Sequence, residues 1–197
     1  MSKSKKKLFF YSKSVAFIIW IMAIADLICD YYFWATQKEQ MLYGIIENID
    51  PTLLDKSIEL SSISVILLML LTHIPVLISS ISLFFVGYFF FEASKGEIWT
   101  QRNIKTLFIG GILAVITPIV NGMLGSLTSL ALSISLPPGE RIFVFYLGFS
   151  LNAMREIIYG IMILSLALIM KEAKKLVMKI NSIYNYAYNN NSRCFNG

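Results

Sequence analysis

Six side chains in this chain of 197 residues have the chemistry to move a proton or bind a charge from inside apolar sequence: Asp26, Asp30, His73, Asn121, Arg155 and Glu156. An ionisable group held in hydrocarbon costs about 2.5–3.5 kcal/mol at the bilayer centre, so such groups face a bundle interior, pair with one another, or line a path for protons or ions. Asp26 and Asp30 are four apart and share a helix face. One guanidinium can bridge two carboxylates through its fork of donors, which makes Arg155 the expected partner of Asp26 or Asp30. Arg155 and Glu156 are adjacent and point about 100° apart, so different partners are expected for them. His73 stands two residues before Pro75, and a titratable imidazole beside a proline bend has the parts of a pH sensor. One histidine with two aspartates on separate helices has no metal-ligand spacing, and neither a metal nor any other cofactor is expected. The sequence contains no H-E-x-x-H and no G-x-S-x-G, and a non-enzymatic protein is expected.

What holds these residues is apolar throughout. Hydrophobic residues make up 56% of the chain, charged residues only 15%, and the mean hydropathy is +0.67. A typical soluble domain carries about 25% charge. Residues 60–91 and 106–139 contain no Asp, Glu, Lys or Arg. Residues 14–36 are interrupted only by Asp26 and Asp30, and 142–170 only by Arg155 and Glu156. A bilayer core of about 30 Å takes about 20 apolar residues in a helix. Transmembrane strands would alternate in segments of about ten residues, and these runs do not alternate. The predicted fold is an all-α integral membrane four-helix bundle with spans near 14–36, 64–91, 106–130 and 150–170. Residues 1–13 form a basic N-terminus, 14–180 a single transmembrane domain, and 181–197 a polar tail expected to be disordered.

Depth follows from the helical rise of about 1.5 Å per residue. Measured from the basic face, Asp26 and Asp30 lie about 18 and 24 Å in, His73 about 27 Å, Asn121 about 21 Å, Arg155 about 22 Å and Glu156 about 21 Å. All six fall in the far half of the membrane, which predicts one polar layer.

Cationic residues set the orientation. The N-terminus, the 92–105 loop and the tail from Lys171 carry thirteen Lys and Arg, against four in the segments 37–59 and 137–156. Basic segments stay cytoplasmic, so both termini and the 92–105 loop are expected inside. The net charge of +5 therefore serves orientation and anionic lipid, and nucleic acid is not an expected partner. In that loop, "FEASKGEIWTQRNIKTL", Gly96 suits the residue just past a helix end, and Thr100 suits the cap of the next helix. Trp99 belongs at headgroup level, with Arg102 and Lys105 against anionic lipid. Lys95, Gly96, Trp99, Arg102 and Asn103 form the candidate docking turn for a cytoplasmic protein.

The stretch "FFFEASKGEIWTQRNIKTLFIGG" resembles a bacterial membrane family described as domain of unknown function 2975. An apolar helix there ends in a turn of the form "kG.-f-..N...L..iG", matched here by Lys95-Gly96, Trp99 where Phe is commoner, Asn103, Leu107 and Gly110. "ILSLALIMKEAKKL" is similar to the family's closing helix, whose usual acidic ending is replaced here by "VMKINSIYNYAYNNN". The resemblance covers roughly residues 60–180. It implies a four-span inner-membrane protein and no reaction. Some members are encoded beside small helix-turn-helix regulators, which implies a regulatory setting.

Elsewhere, serines in "LISSISLFF" and "GSLTSLALSIS", with Gly110, Gly111, Gly122 and Gly125, are read as close-packing positions. Pro118 is expected to bend the third span. Residues 37–59 read as an amphipathic connector in which Asp50 caps a second turn begun by Pro51. Cys29 and Cys194 fall in different compartments and are not expected to pair. Ala23-Ile24-Ala25 imitates a small-x-small cleavage site, and cleavage there would remove the first span. The function expected is that of a non-enzymatic inner-membrane protein that senses or relays to a cytoplasmic regulator. The alternative is a small transporter or channel subunit using the Asp/Arg layer; four spans are few for that, so it requires a homo-oligomer.

Overall fold

A computed structural model describes residues 3–53, 60–96, 98–139, 141–145 and 151–194. They form five α-helices and one 3-10 turn: α1 (Lys3–Thr36), α2 (Lys38–Ile49), the turn Pro51–Leu53, α3 (Ser62–Ser94), α4 (Gln101–Ser133) and α5 (Leu151–Cys194). There is no strand among the described residues. The four long helices, α1, α3, α4 and α5, are long and apolar enough to cross a membrane, so the chain is a multi-pass membrane protein. At 33 residues α3 and α4 reach roughly 50 Å. That exceeds the hydrocarbon and leaves their ends in the headgroup region.

Each long helix packs antiparallel on the next in sequence, α1 on α3, α3 on α4 and α4 on α5, and these are the extensive seams between them. The result is an up-down row whose outer members, α1 and α5, do not share a seam. Small residues set the spacing. Gly110 and Gly111 are adjacent and turn about 100° apart, so α4 approaches both neighbours at one level. A Cβ on Gly110 would meet Val86 and Phe85 of α3, and one on Gly111 would come within 2.9 Å of Leu164 on α5. Gly160 returns the fit from α5, where a Cβ would lie 2.8 Å from the backbone nitrogen of Val115. Ser82 Oγ donates to the Gly110 carbonyl at 2.8 Å across the α3–α4 seam. Gly122 and Gly125 are half-buried on α4.

The helix ends follow local chemistry. Ser61 Oγ accepts from Ser64 N at 3.2 Å, and Thr100 Oγ1 accepts from Asn103 N at 3.2 Å. Gly96 takes φ +90°, which suits glycine, and closes α3 with its N–H on the Ala93 carbonyl. Asp50 caps a single 3-10 turn, where Thr52 N and Oγ1 both donate to its Oδ1. The buried core cluster at this end holds Trp34, Leu68, Ala131 and Leu132, roofed by Met41, Leu42, Ile45 and Ile46 of α2.

One expectation is corrected. Residues 181–194 continue α5 where a disordered tail was expected from residue 181. No Gly or Pro interrupts the sequence before Gly197, so nothing breaks the helical hydrogen-bond ladder. The basic N-terminus, from Lys3, forms the first turns of α1. Of the connector 37–59, residues 54–59 lie outside the described residues, as do Glu97, Glu140, 146–150 and 195–197.

Gly160→Ala should destabilise the chain by about 1–3 kcal/mol, because its new methyl meets α4 backbone that has no rotamer to turn aside. Gly44→Ala in α2, where nothing lies within 4 Å of the added Cβ, should stabilise by up to about 1 kcal/mol. Thermal unfolding midpoints of both variants in one detergent check the pair.

Candidate functional site

The α1–α3 seam carries chemistry at both ends. At the end away from the basic turn, His73 Nδ1 contacts Asp30 Oδ2, joining α3 to α1. The Asp30 and His73 side chains are only 14% and 26% exposed. Their predicted depths differ by about 3 Å, within one turn of helix. Pro75 follows His73 by two and is buried inside α3. Its missing N–H leaves one rung of the helical ladder open beside the pair.

The remaining members of the predicted polar layer do not join it. Asp26, Asn121, Arg155 and Glu156 are all exposed. The expected pairing of Asp26 or Asp30 with Arg155 is absent within the chain, because α1 and α5 stand at opposite edges of the row with α3 and α4 between them. Equal depth was read as proximity, which holds only where the first and last helices also pack.

At the basic end, Trp20 of α1 lies against Gly87 of α3, where an added Cβ would be 2.5 Å from Trp20 Nε1. The indole donates to the Phe84 carbonyl at 3.3 Å and stacks at a tilt on Phe91, centroids 5.5 Å apart. Beside it, Trp20, Phe84, Phe85, Tyr88, Arg102 and Thr106 line an open groove of about 410 Å³. Glu92 is buried and accepts from Lys95 Nζ at 2.8 Å. Lys95 also stands 4.3 Å over the Phe91 ring, and Arg102 lies 5.4 Å over the Tyr88 ring. Asn103 is fully buried, its Nδ2 reaching the Ile98 carbonyl at 3.5 Å. Trp99 and Lys95 are exposed. The turn is thus built from the inside by Glu92 and Asn103 and shows Trp99 and its bases outward.

Serines that read as spacing residues turn out to hold backbone. Ser133 Oγ accepts from Ile142 N at 2.9 Å and also contacts the Ile142 carbonyl. Ser129 Oγ accepts from Val144 N at 3.1 Å. Hydroxyls one helical turn apart on α4 thus meet alternate peptides, Ile142 and Val144, of the non-helical 141–145 segment. The signal in the sequence was the four-residue spacing of Ser129 and Ser133. Glu92 and Lys95, at i and i+3, were equally visible. The Gly87–Trp20 contact had no local signal.

Among the described residues no three of His, Cys, Asp and Glu converge as a metal would require, and Cys29 is an exposed free thiol. No family model, curated protein or solved structure matches the chain.

A double-mutant cycle on Asp30→Ala and His73→Ala, read by thermal unfolding, should show a coupling of about 0.5–3 kcal/mol. The cycle on Asp30→Ala and Arg155→Ala should be additive within about 0.5 kcal/mol.

Proposed function

We propose that this chain is a non-enzymatic protein of the bacterial cytoplasmic membrane that senses conditions at its outer half and relays them to a cytoplasmic protein. The observation that carries the reading is the Asp30–His73 contact, a titratable pair bridging α1 and α3. The same seam ends in the Trp20–Phe84 bond and the Lys95–Trp99 turn. A signal that strengthens or breaks the Asp30–His73 contact moves α1 and α3 relative to one another. With the α3 ladder open at Pro75, that movement has a place to bend. At the other end it alters how α3 presents Lys95 and Trp99. Exposed aromatic and basic residues at a helix turn suit a protein partner, since Trp and Arg dominate binding energy at interfaces. The positive-inside asymmetry and the likeness of "KGEIWTQRNIKTLFIGG" to domain of unknown function 2975 support the same orientation and a regulatory partner.

Affinity capture of the tagged full chain from native membranes in mild detergent, followed by mass spectrometry, tests it. A soluble cytoplasmic protein should co-purify, fall severalfold with Trp99→Ala or Lys95→Ala, and change in yield with His73→Ala. A catch that ignores all three substitutions counts against the relay.

A further inference from the structure

Asp26 and Arg155 carry opposite charges on the two edge helices of the row, α1 and α5. Both are exposed, and neither has a hydrogen bond or ion pair with any described residue. Their depths, about 18 and 22 Å from the basic face, differ by less than one helical turn. At about 100° per residue, Arg155 stands roughly 120–140° round α5 from Gly160 and Ala167, which are buried toward α4. Asp26 lies roughly 60–80° from Ala16, Ala23 and Trp34, the buried line of α1. Arg155 is therefore turned out of the row, while Asp26 sits on the flank of α1, exposed beside its buried line.

The direction of the helices adds a second argument. Along the row they alternate: Asp30 meets His73 while Trp20 meets Phe84, Ser82 meets Gly110 while Ser64 meets Ser135, and Leu164 lies by Gly111 while Gly160 lies by Val115. The helix that continues this alternation beyond α5 is another α1. Short antiparallel seams between neighbours are the packing this chain already uses.

We propose that two copies close head to tail, α1 of each against α5 of the other, with Asp26 of each copy paired to Arg155 of its partner. Two equivalent contacts about a two-fold axis normal to the membrane complete a ring of eight alternating helices, leaving no edge. The pairing gives each charge the partner its own chain lacks, where an isolated charge in lipid is unfavourable. Glu156, beside Arg155 and about 100° away, is exposed as well, so it adds negative charge near this seam without being the group that meets Asp26. The occupant is a second copy rather than lipid, because lipid tails offer neither charge a partner. The inference is independent of the relay reading.

Charge reversal tests it on the full chain in mild detergent. The unaltered chain should run as a dimer by light scattering. Asp26→Arg alone places two cations at both seams, and Arg155→Asp alone places two carboxylates there; each should weaken association about tenfold or more. Differently tagged Asp26→Arg and Arg155→Asp chains, co-expressed, should co-purify, because both seams of the mixed pair are again complementary. A monomeric unaltered chain overturns the proposal. So does undiminished association in either variant, or failure of the mixed pair when circular dichroism shows both chains helical.

Discussion

A peptide group inside hydrocarbon has no water to bond, so every N–H and carbonyl at that depth needs a partner within the protein. That constraint explains more of this molecule than any side chain does. It makes the apolar runs into helices of 33 residues or more, and it places hydroxyls at their ends, Ser61 before α3 and Thr100 before α4. It also accounts for the non-helical 141–145 segment, where the Ile142 and Val144 N–H groups are met by Ser133 and Ser129 from α4. Where the ladder is opened, at Pro75 and Pro118, the residue is buried against neighbouring helices. Among the described non-helical residues, Ile142 and Val144 have their N–H groups met by hydroxyls of α4.

The second organising feature is sequential packing. A row in which each helix touches its sequence neighbours sorts polar side chains into two kinds. Some on inner seams find partners in the same chain, as Asp30 finds His73 and Ser82 finds the Gly110 carbonyl. Asp26 and Arg155, exposed on the edge helices, have none among the described residues. Hydrocarbon makes both situations costly to leave unresolved, which is why the same physics yields a paired seam contact in one place and an unmet charge in another. Close approach along the seams rests on Gly87, Gly110, Gly111 and Gly160, whose missing side chains admit Trp20, α3, Leu164 and Val115.

Much of this was legible in the residues. Charge-free runs located four helices, and Gly96, Thr100 and Asp50 marked ends that the structure builds with those same atoms. Depth along each helix was legible too, since rise per residue is fixed. Rotation about the axes and the identity of neighbours were not. Depth placed Asp30, His73 and Arg155 within about 5 Å of one level, and only lateral order decides which of the three meet. The tail was misread because asparagine-rich composition argues for disorder, whereas the absence of a breaker lets α5 run on to Cys194. The serines were misread because small size and hydrogen-bonding capacity occur in the same residue, and composition cannot say which is used.

Orientation is the premise of the proposed function, which places the Asp30–His73 pair outside and the Lys95–Trp99 turn inside. In a chain with Cys29 and Cys194 replaced by serine, single cysteines at Tyr43 on α2 and Trp99 at the turn report it directly, since both native side chains are exposed. A membrane-impermeant maleimide should label the Tyr43→Cys chain in intact cells and the Trp99→Cys chain only after the cytoplasmic membrane is opened. Labelling of Trp99→Cys in intact cells, with Tyr43→Cys protected, would invert the molecule and contradict the account.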